Sequence, residues 1–254
     1  MPSFSSTDER TRSDLQGDSG LRAVSRQATR LDDVLKQLLK SRLSRGARLA
    51  CRQLLLELRI QRAHRRSVRK ARRLTPPLKL HIGCGTDLKP GWLNVDLFEE
   101  TADLRLDLRE VFPFPTASVT IIHSEHFLEH LDFPDEVEHV LRESYRVLVP
   151  HGVFSVGIPE AGGAMAAYAR GERDVFAAEW DPNYPEWLSM PMHRINYLFR
   201  QFGEHKYAYD EEILLWTLRR AGFEKVSRRC FDPAMDTEHR RSHTMYASGI
   251  KPAR

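Results

Sequence analysis

The chain has 254 residues, 41% of them apolar, with 39 Lys+Arg against 35 Asp+Glu and a formal net charge of +4, a length that suits one ordinary domain with an appendage or two small ones. Its three cysteines, Cys51, Cys84 and Cys230, form no CxxC pair, so neither a disulfide framework nor a zinc ribbon is indicated. No apolar run approaches the ~20 residues that span a bilayer. The opening MPSFSSTDERTRSDLQGDSG lacks a signal peptide's hydrophobic region and is too acidic for a transit peptide. A cytoplasmic setting is the expectation.

In chain order, residues 1–20 are polar and rich in Ser, Asp and Gly, a tail expected to be disordered. Residues 21–76 read as a basic helical arm. They hold one glycine, Gly46, and no proline before Pro76, and apolar residues recur three and four apart at Leu31, Val34, Leu35, Leu38 and Leu39, then at Leu49, Leu54, Leu55, Leu58 and Ile60. Thr75-Pro76-Pro77 ends the pattern. The mild overall charge hides a split there: residues 1–76 carry 19 Lys+Arg against 7 Asp+Glu, a net of +12, and residues 77–254 carry 20 against 28, a net of −8.

Beyond Pro77, short apolar runs alternate with turns and helical patterns. Leu78–Ile82, Leu93–Asp96, Leu104–Asp107, Val119–Ser124 and Val153–Ile158 read as buried strands, with a helix over Asp135–Leu148. A second amphipathic helix over Asp210–Arg220 precedes two further strand-like runs, Val226–Phe231 and Thr244–Ile250. Alternation of this kind predicts an α/β fold with a parallel sheet.

Ligands of open α/β sheets bind beyond the carboxyl ends of the strands. Gly83-Cys84-Gly85 follows the first strand, where glycines let a backbone approach a ligand; a structural turn uses the same residues. Asp96 ends the second strand, placed to accept from ribose hydroxyls. Asp107-Leu108 ends the third, where a carboxylate and a backbone N–H can read an exocyclic amine and a ring nitrogen. Each Asp alone would serve as a cap; together they match the demands of an adenosine.

With these residues in place, the sequence resembles a known family. His81-Ile-Gly-Cys-Gly85, Gly91-Trp-Leu-Asn-Val-Asp96, Asp107-Leu-Arg109 with Phe112-Pro-Phe-Pro115, Val119–Leu131, Arg146–Gly152 and Leu218–Val226 are similar, in order and spacing, to class I S-adenosylmethionine-dependent methyltransferases. The resemblance covers roughly residues 78–252. It implies a Rossmann-like sheet of seven strands whose last, Thr244–Ile250, is antiparallel, and a methyltransferase domain over residues 77–254 with S-adenosylmethionine as cofactor. By position it implies Gly83, Cys84 and Gly85 facing the methionine part, Asp96 and Leu97 the ribose, Asp107 and Leu108 the adenine, and Ser124 near the methyl acceptor. Thr86–Gly91 is too short for the helix the family usually places there. That shortening resembles a subgroup associated with glycan assembly, which implies O-methylation of a sugar or glycan hydroxyl. Another small molecule, a nucleic acid, or a non-catalytic binding role are the alternatives.

A hydroxyl acceptor needs a base, for which histidine is suited. His126, just past the fourth strand, is the first candidate, with Glu125 as its orienter or a cofactor contact. His205, in Phe202-Gly-Glu-His-Lys-Tyr207, is the second. His130 reads as a packed histidine, and His239-Arg-Arg-Ser-His243 as a solvated loop. Residues 160–210 hold ten of the 23 aromatics and read as a substrate cap, although such rings would equally build the insert's own core. Trp180 and Trp187 are the candidates for stacking on a sugar, with Arg194 or Lys206 holding an anionic group. No tight His or carboxylate cluster argues for a metal, and a divalent ion is left open. For the arm, packing or homodimerisation through residues 21–74 comes first and peripheral contact with an anionic membrane next. Nucleic acid comes last, since few aromatics interleave the bases.

Overall fold

The computed structural model describes residues 43–173 and 187–253. The polar tail, the first half of the arm, and Trp180 lie outside the described residues. The chain divides into two compact units, residues 1–58 and 59–254. In the first, the described chain is the start of helix α1 (Arg45–Ala71), along which Leu49, Leu54, Leu55 and Leu58 are exposed. No helix among the described residues is long and apolar enough to cross a membrane.

The second unit is built on seven strands: β1 (Leu78–Ile82), β2 (Leu93–Asp96), β3 (Leu104–Arg105), β4 (Val119–Glu125), β5 (Leu148–Pro159), β6 (Glu224–Arg228) and β7 (Thr244–Ile250). They form one sheet in the order β3-β2-β1-β4-β5-β7-β6. The first five are parallel, and β7 runs antiparallel between β5 and β6. This is the expected Rossmann-like sheet. Helix α2 (Asp135–Val147) buries Val137, Val140, Leu141, Ser144 and Val147, the stripe a core-facing helix requires, and opens with Asp135, Glu136 and Glu138 at its positive end. Helices α3 (Ala161–Arg170) and α4 (Pro191–Arg200) occupy the insert after β5. Asp210 caps α5 (Glu211–Arg220) by accepting from Ile213 N at 2.9 Å.

Strand side chains alternate between the two faces. Leu80, Ile82, Ile122, Phe154 and Val156 share one apolar cluster with Val137, Val140, Leu141, Leu214 and Leu218 of α2 and α5. Burying each such side chain stabilises the fold by ~1.5–3 kcal/mol. The alternate residues make the other face polar. Asn94, His81, His123, Ser155 and Ser248 stand in register across five adjacent strands. Four of them, Asn94, His81, His123 and Ser155, are buried.

No helix lies between β1 and β2, as the short Thr86–Gly91 segment leads one to expect, and none lies between β2 and β3. The cover over this face comes instead from the β6–β7 connection. Arg229 there forms a two-pronged pair with Asp236, both contacts 2.6 Å, and donates to Ser155 Oγ at 3.1 Å. Burial, with the Lys89 charge, pushes His81 down to about 3, so this layer sets a neutral His81 ring beside the Arg229–Asp236 ion pair.

Helix α1 guards the outer edge of the sheet. Ser67 Oγ accepts from Arg105 N at 2.8 Å and His64 Nδ1 from Asp107 N at 3.1 Å. Leu106 N, between them, turns inward to Asp96 O at 3.0 Å. Two side chains one helical turn apart thus satisfy alternate donors of an exposed edge.

Candidate functional site

The first strand end turns through two glycines in left-handed conformations, φ +64° at Gly83 and +48° at Gly85. They differ in surroundings. A Cβ at Gly83 would lie 2.6 Å from Phe127 Cβ, whereas one at Gly85 would meet nothing within 4 Å. Gly83 thus permits internal close packing, and Gly85 leaves an open stretch of backbone. Cys84 between them is buried, and burial, aided by the Asp96 charge, pushes its thiol up to about 12.

Asp96 ties the first two strand ends together. Its Oδ2 accepts from Gly85 N at 2.9 Å, and its Oδ1 from Phe98 N at 2.8 Å and Glu99 N at 3.0 Å. A carboxylate offers about four acceptor positions, so Oδ2 keeps capacity for one further hydroxyl. Leu97 beside it is half-buried. Strand β3 stops at Arg105, two residues short of the expected Asp107; just past it, Asp107 receives Arg109 Nε at 2.8 Å and Nη2 at 2.7 Å, while Leu108 is buried. Burial opposes ionisation of Asp107, but the Arg109 hydrogen bonds and charge hold its carboxyl below the usual range. The Ser124 side chain is fully buried, and its Oγ makes no hydrogen bond among the described residues.

After β4, Glu125 and His126 diverge. Glu125 is buried and accepts from Thr237 N at 3.1 Å, Thr237 Oγ1 at 2.6 Å and Tyr246 OH at 3.0 Å. Burial would raise its carboxyl, but the facing His123 edge, the Thr237 and Tyr246 bonds and the Arg240 charge hold it down at about 2. The His123 contact, at 3.9 Å, is electrostatic and too long for a hydrogen bond. No hydrogen bond joins Glu125 to the His126 ring. That ring instead meets Thr244 Oγ1 through Nε2 at 2.8 Å. Burial, then the Arg240 charge, pushes it down to about 3.

A short turn, Leu128–His130, then brings Glu129 and His130 against His205. The two rings meet edge to face at 4.9 Å. Glu129 is 2% exposed, and both of its carboxylate oxygens lack a hydrogen-bond partner among the described residues. Burial pushes this carboxyl up to about 8. His130 and His205 are both lowered, by burial foremost. The sequence shows no such cluster, because His205 stands far along the chain.

The remaining candidates are engaged within the protein. Lys206 Nζ lies 2.7 Å from Asp132 and 3.4 Å from Glu136. Arg194 is buried and donates through Nε to Leu188 O at 2.6 Å. Ala164 and Ala167 of α3 pack with Ile195 and Leu198 of α4, so the insert builds a small core of its own. Trp187 is 53% exposed and meets Phe202 edge to face at 6.0 Å. Arg240, in the stretch read as a solvated loop, donates to Glu125 O at 3.1 Å. That contact, with Thr237 and Glu129, is what sequence reasoning missed.

Residues 80–156 match the family model of a methyltransferase domain. The match runs from β1 into β5 and so spans the strand ends just described. No match was found among curated proteins. Among solved structures, the domain is similar to a SAM-dependent methyltransferase from Archaeoglobus fulgidus (16% identity, 77% of this chain and 94% of that one, TM-score 0.43). It is also similar to a possible histamine N-methyltransferase from Thermotoga maritima (18%, 82% and 97%, TM-score 0.40). A third is phosphoethanolamine N-methyltransferase 2 from Haemonchus contortus (13%, 70% and 49%, TM-score 0.42), about half of whose length the chain spans.

The residues present fit the cofactor of such a domain. The uncovered backbone at Gly85 is a surface that a Cβ would fill, and Asp96 beside it is held by three backbone donors with an acceptor position to spare.

Proposed function

We propose that the methyltransferase domain methylates a hydroxyl of a sugar or glycan. Bound S-adenosylmethionine supplies an electrophilic methyl on a sulfonium. Gly85 and Asp96 would hold its amino-acid and ribose parts, and Asp107 with Leu108 its adenine. Holding the acceptor in line supplies much of the rate. The chain's remaining task is to remove the hydroxyl proton.

His205 suits that task better than His126. Its Nδ1 faces Leu198 O at 2.7 Å, so that nitrogen carries the proton and Nε2 presents the lone pair. His126 Nε2 is instead engaged with Thr244, and its low basicity gives it little pull on a proton. The observation that carries the glycan reading is the pair of exposed rings, Trp187 and Phe202, 53% and 69% exposed, with Phe202 three residues before His205. Flat amphipathic rings suit the apolar face of a sugar.

Transfer of labelled methyl to a panel of sugars, lipid-linked oligosaccharides and RNA tests this. Labelling of the carbohydrate acceptors supports it. Labelling confined to RNA, or none despite tight cofactor binding, overturns it. For the arm we place self-association through the α1 leucines first; a full-length chain that stays monomeric in sedimentation, yet floats with anionic vesicles, would reverse that order.

A further inference from the structure

We infer that Glu129, His130 and His205 form a binding site for one divalent transition-metal ion of the zinc class. One potential ligand atom from each residue lies within 4.8 Å of the other two. Three features separate this cluster from a chance meeting of polar groups.

The first is tautomeric. His130 Nδ1 faces Glu204 O at 3.2 Å and His205 Nδ1 faces Leu198 O at 2.7 Å. A carbonyl can only accept, so each Nδ1 carries the hydrogen and each Nε2 is left as a lone pair. Neither Nε2 makes a hydrogen bond among the described residues. Metal-binding imidazoles show this same arrangement, with one nitrogen anchored to a carbonyl and the other directed at the ion.

The second is Glu129. A carboxyl group this buried ordinarily has its oxygens bonded, yet neither of these finds a partner among the described residues. Its backbone is fixed, because Glu129 O accepts from Lys206 N at 2.8 Å and Tyr207 N at 3.2 Å. These bonds also bring the segment bearing His205 alongside the Leu128–His130 turn. A cation would supply the counter-charge that the buried carboxylate lacks.

The third is space and donor type. A small cavity lined by Glu129, His205, Tyr207, Tyr209, Pro159 and Leu198 adjoins the cluster. Two imidazoles and a carboxylate suit zinc, cobalt or nickel over magnesium or calcium, which favour oxygen-rich shells. Ligand atoms on a tetrahedral zinc ion stand about 3.4 Å apart, given bonds of ~2.1 Å, so the site would close by roughly an ångström. Three protein ligands leave a position for water or substrate. The lone pair of His205 Nε2 serves either the ion or the acceptor proton, so in the metal-loaded protein the ion would take over from His205 by lowering the pKa of a hydroxyl at that position; binding of the ion does not depend on the methyl-transfer reading.

The test is metal binding by the purified full-length chain, stripped with a chelator and titrated with Zn²⁺ and Co²⁺. One equivalent should bind with excess Mg²⁺ present. Glu129→Gln, His130→Ala and His205→Ala should each weaken binding by more than the ~10–100-fold that losing an outer hydrogen-bond partner costs. His151→Ala, at an exposed histidine on β5, should leave it unchanged. Should a variant misfold, X-ray absorption of the wild-type zinc protein decides: two imidazoles with an oxygen donor support the site, and sulfur or fewer imidazoles overturn it. Absence of stoichiometric binding, or binding that all three substitutions leave intact, also overturns it. Cofactor affinity measured on the stripped protein reports separately on the methyltransferase reading.

Discussion

The Thr237 hydroxyl donates to Glu125 Oε2 at 2.6 Å, joining positions 112 residues apart in sequence. The same oxygen lies 2.5 Å from Asp87 Oδ2. A hydroxyl has one proton, so it serves one carboxylate at a time, while Lys89 Nζ balances Asp87 at 2.6 Å. This contact anchors the β6–β7 connection to the strand ends. Thr237→Val keeps the shape and removes the proton between the buried Glu125 and the half-buried Asp87. It is expected to cost about 1–3 kcal/mol, read by urea unfolding, with Thr237→Ser restoring most of it. Equal stability of all three proteins would show that the contact contributes nothing.

Glu125 makes acid stability the companion measurement. Its folded carboxyl titrates at about 2 against an ordinary 4.5. The folded value is the lower, so the stabilisation is complete above about pH 4.5 and is lost as the pH falls towards 2. A shift of this size corresponds to on the order of a few kcal/mol. Unfolding free energy measured from pH 6 to pH 2 is expected to fall more steeply for the wild type than for Glu125→Gln. Parallel curves would remove Glu125 as the source.

Most strands were legible in the sequence because each carries its own short apolar run. β1, β2 and β7 have the expected bounds, and α2 and α5 differ from theirs by one residue at one end. β5 is longer than Val153–Ile158, starting at Leu148, because its first residues still pair with β4 at Val119. The polar face was harder to see. In LKLHI and VTIIHSE the histidines look like breaks in an apolar run, and only the register aligns His81 with His123. Their cover comes from a segment whose Arg and His content suggests solvent. Likewise Glu129 reads as one more polar residue in SEHFLEHL until the fold brings His205 to it.

The edge contact of α1 gives a local prediction. Removing the Ser67 hydroxyl leaves the Arg105 amide of β3 without its acceptor. Ser67→Ala is expected to destabilise the domain by roughly 1–2 kcal/mol. Hydrogen exchange should accelerate at Arg105, with little change in the β4–β5 ladder at the sheet centre. Uniform acceleration across all strands would mean that the edge does not open independently.

The two glycines should separate folding from cofactor binding. Gly83→Ala drives a Cβ into Phe127 and should destabilise by several kcal/mol, on the scale of overpacking plus left-handed strain. Gly85→Ala meets no protein atom, so its cost should stay near the ~1–2 kcal/mol of the backbone conformation. Its methyl projects from the surface assigned to the cofactor, and calorimetry should show S-adenosylmethionine affinity falling at least tenfold in a folded protein. Unchanged affinity would move the cofactor away from Gly85.

His205 and His126 can be ranked by methyl transfer. Both rings are neutral at pH 7, since burial lowers each, so protonation state does not separate them. Lone-pair access does, because His205 Nε2 makes no hydrogen bond among the described residues while His126 Nε2 is engaged with Thr244. His205→Ala is expected to lower kcat by ~10²–10⁴-fold, the range of a lost general base, with cofactor affinity retained. His126→Ala should act chiefly on stability, by removing a ring packed against β7. A larger loss of kcat from His126→Ala than from His205→Ala would return the proton-accepting role to His126.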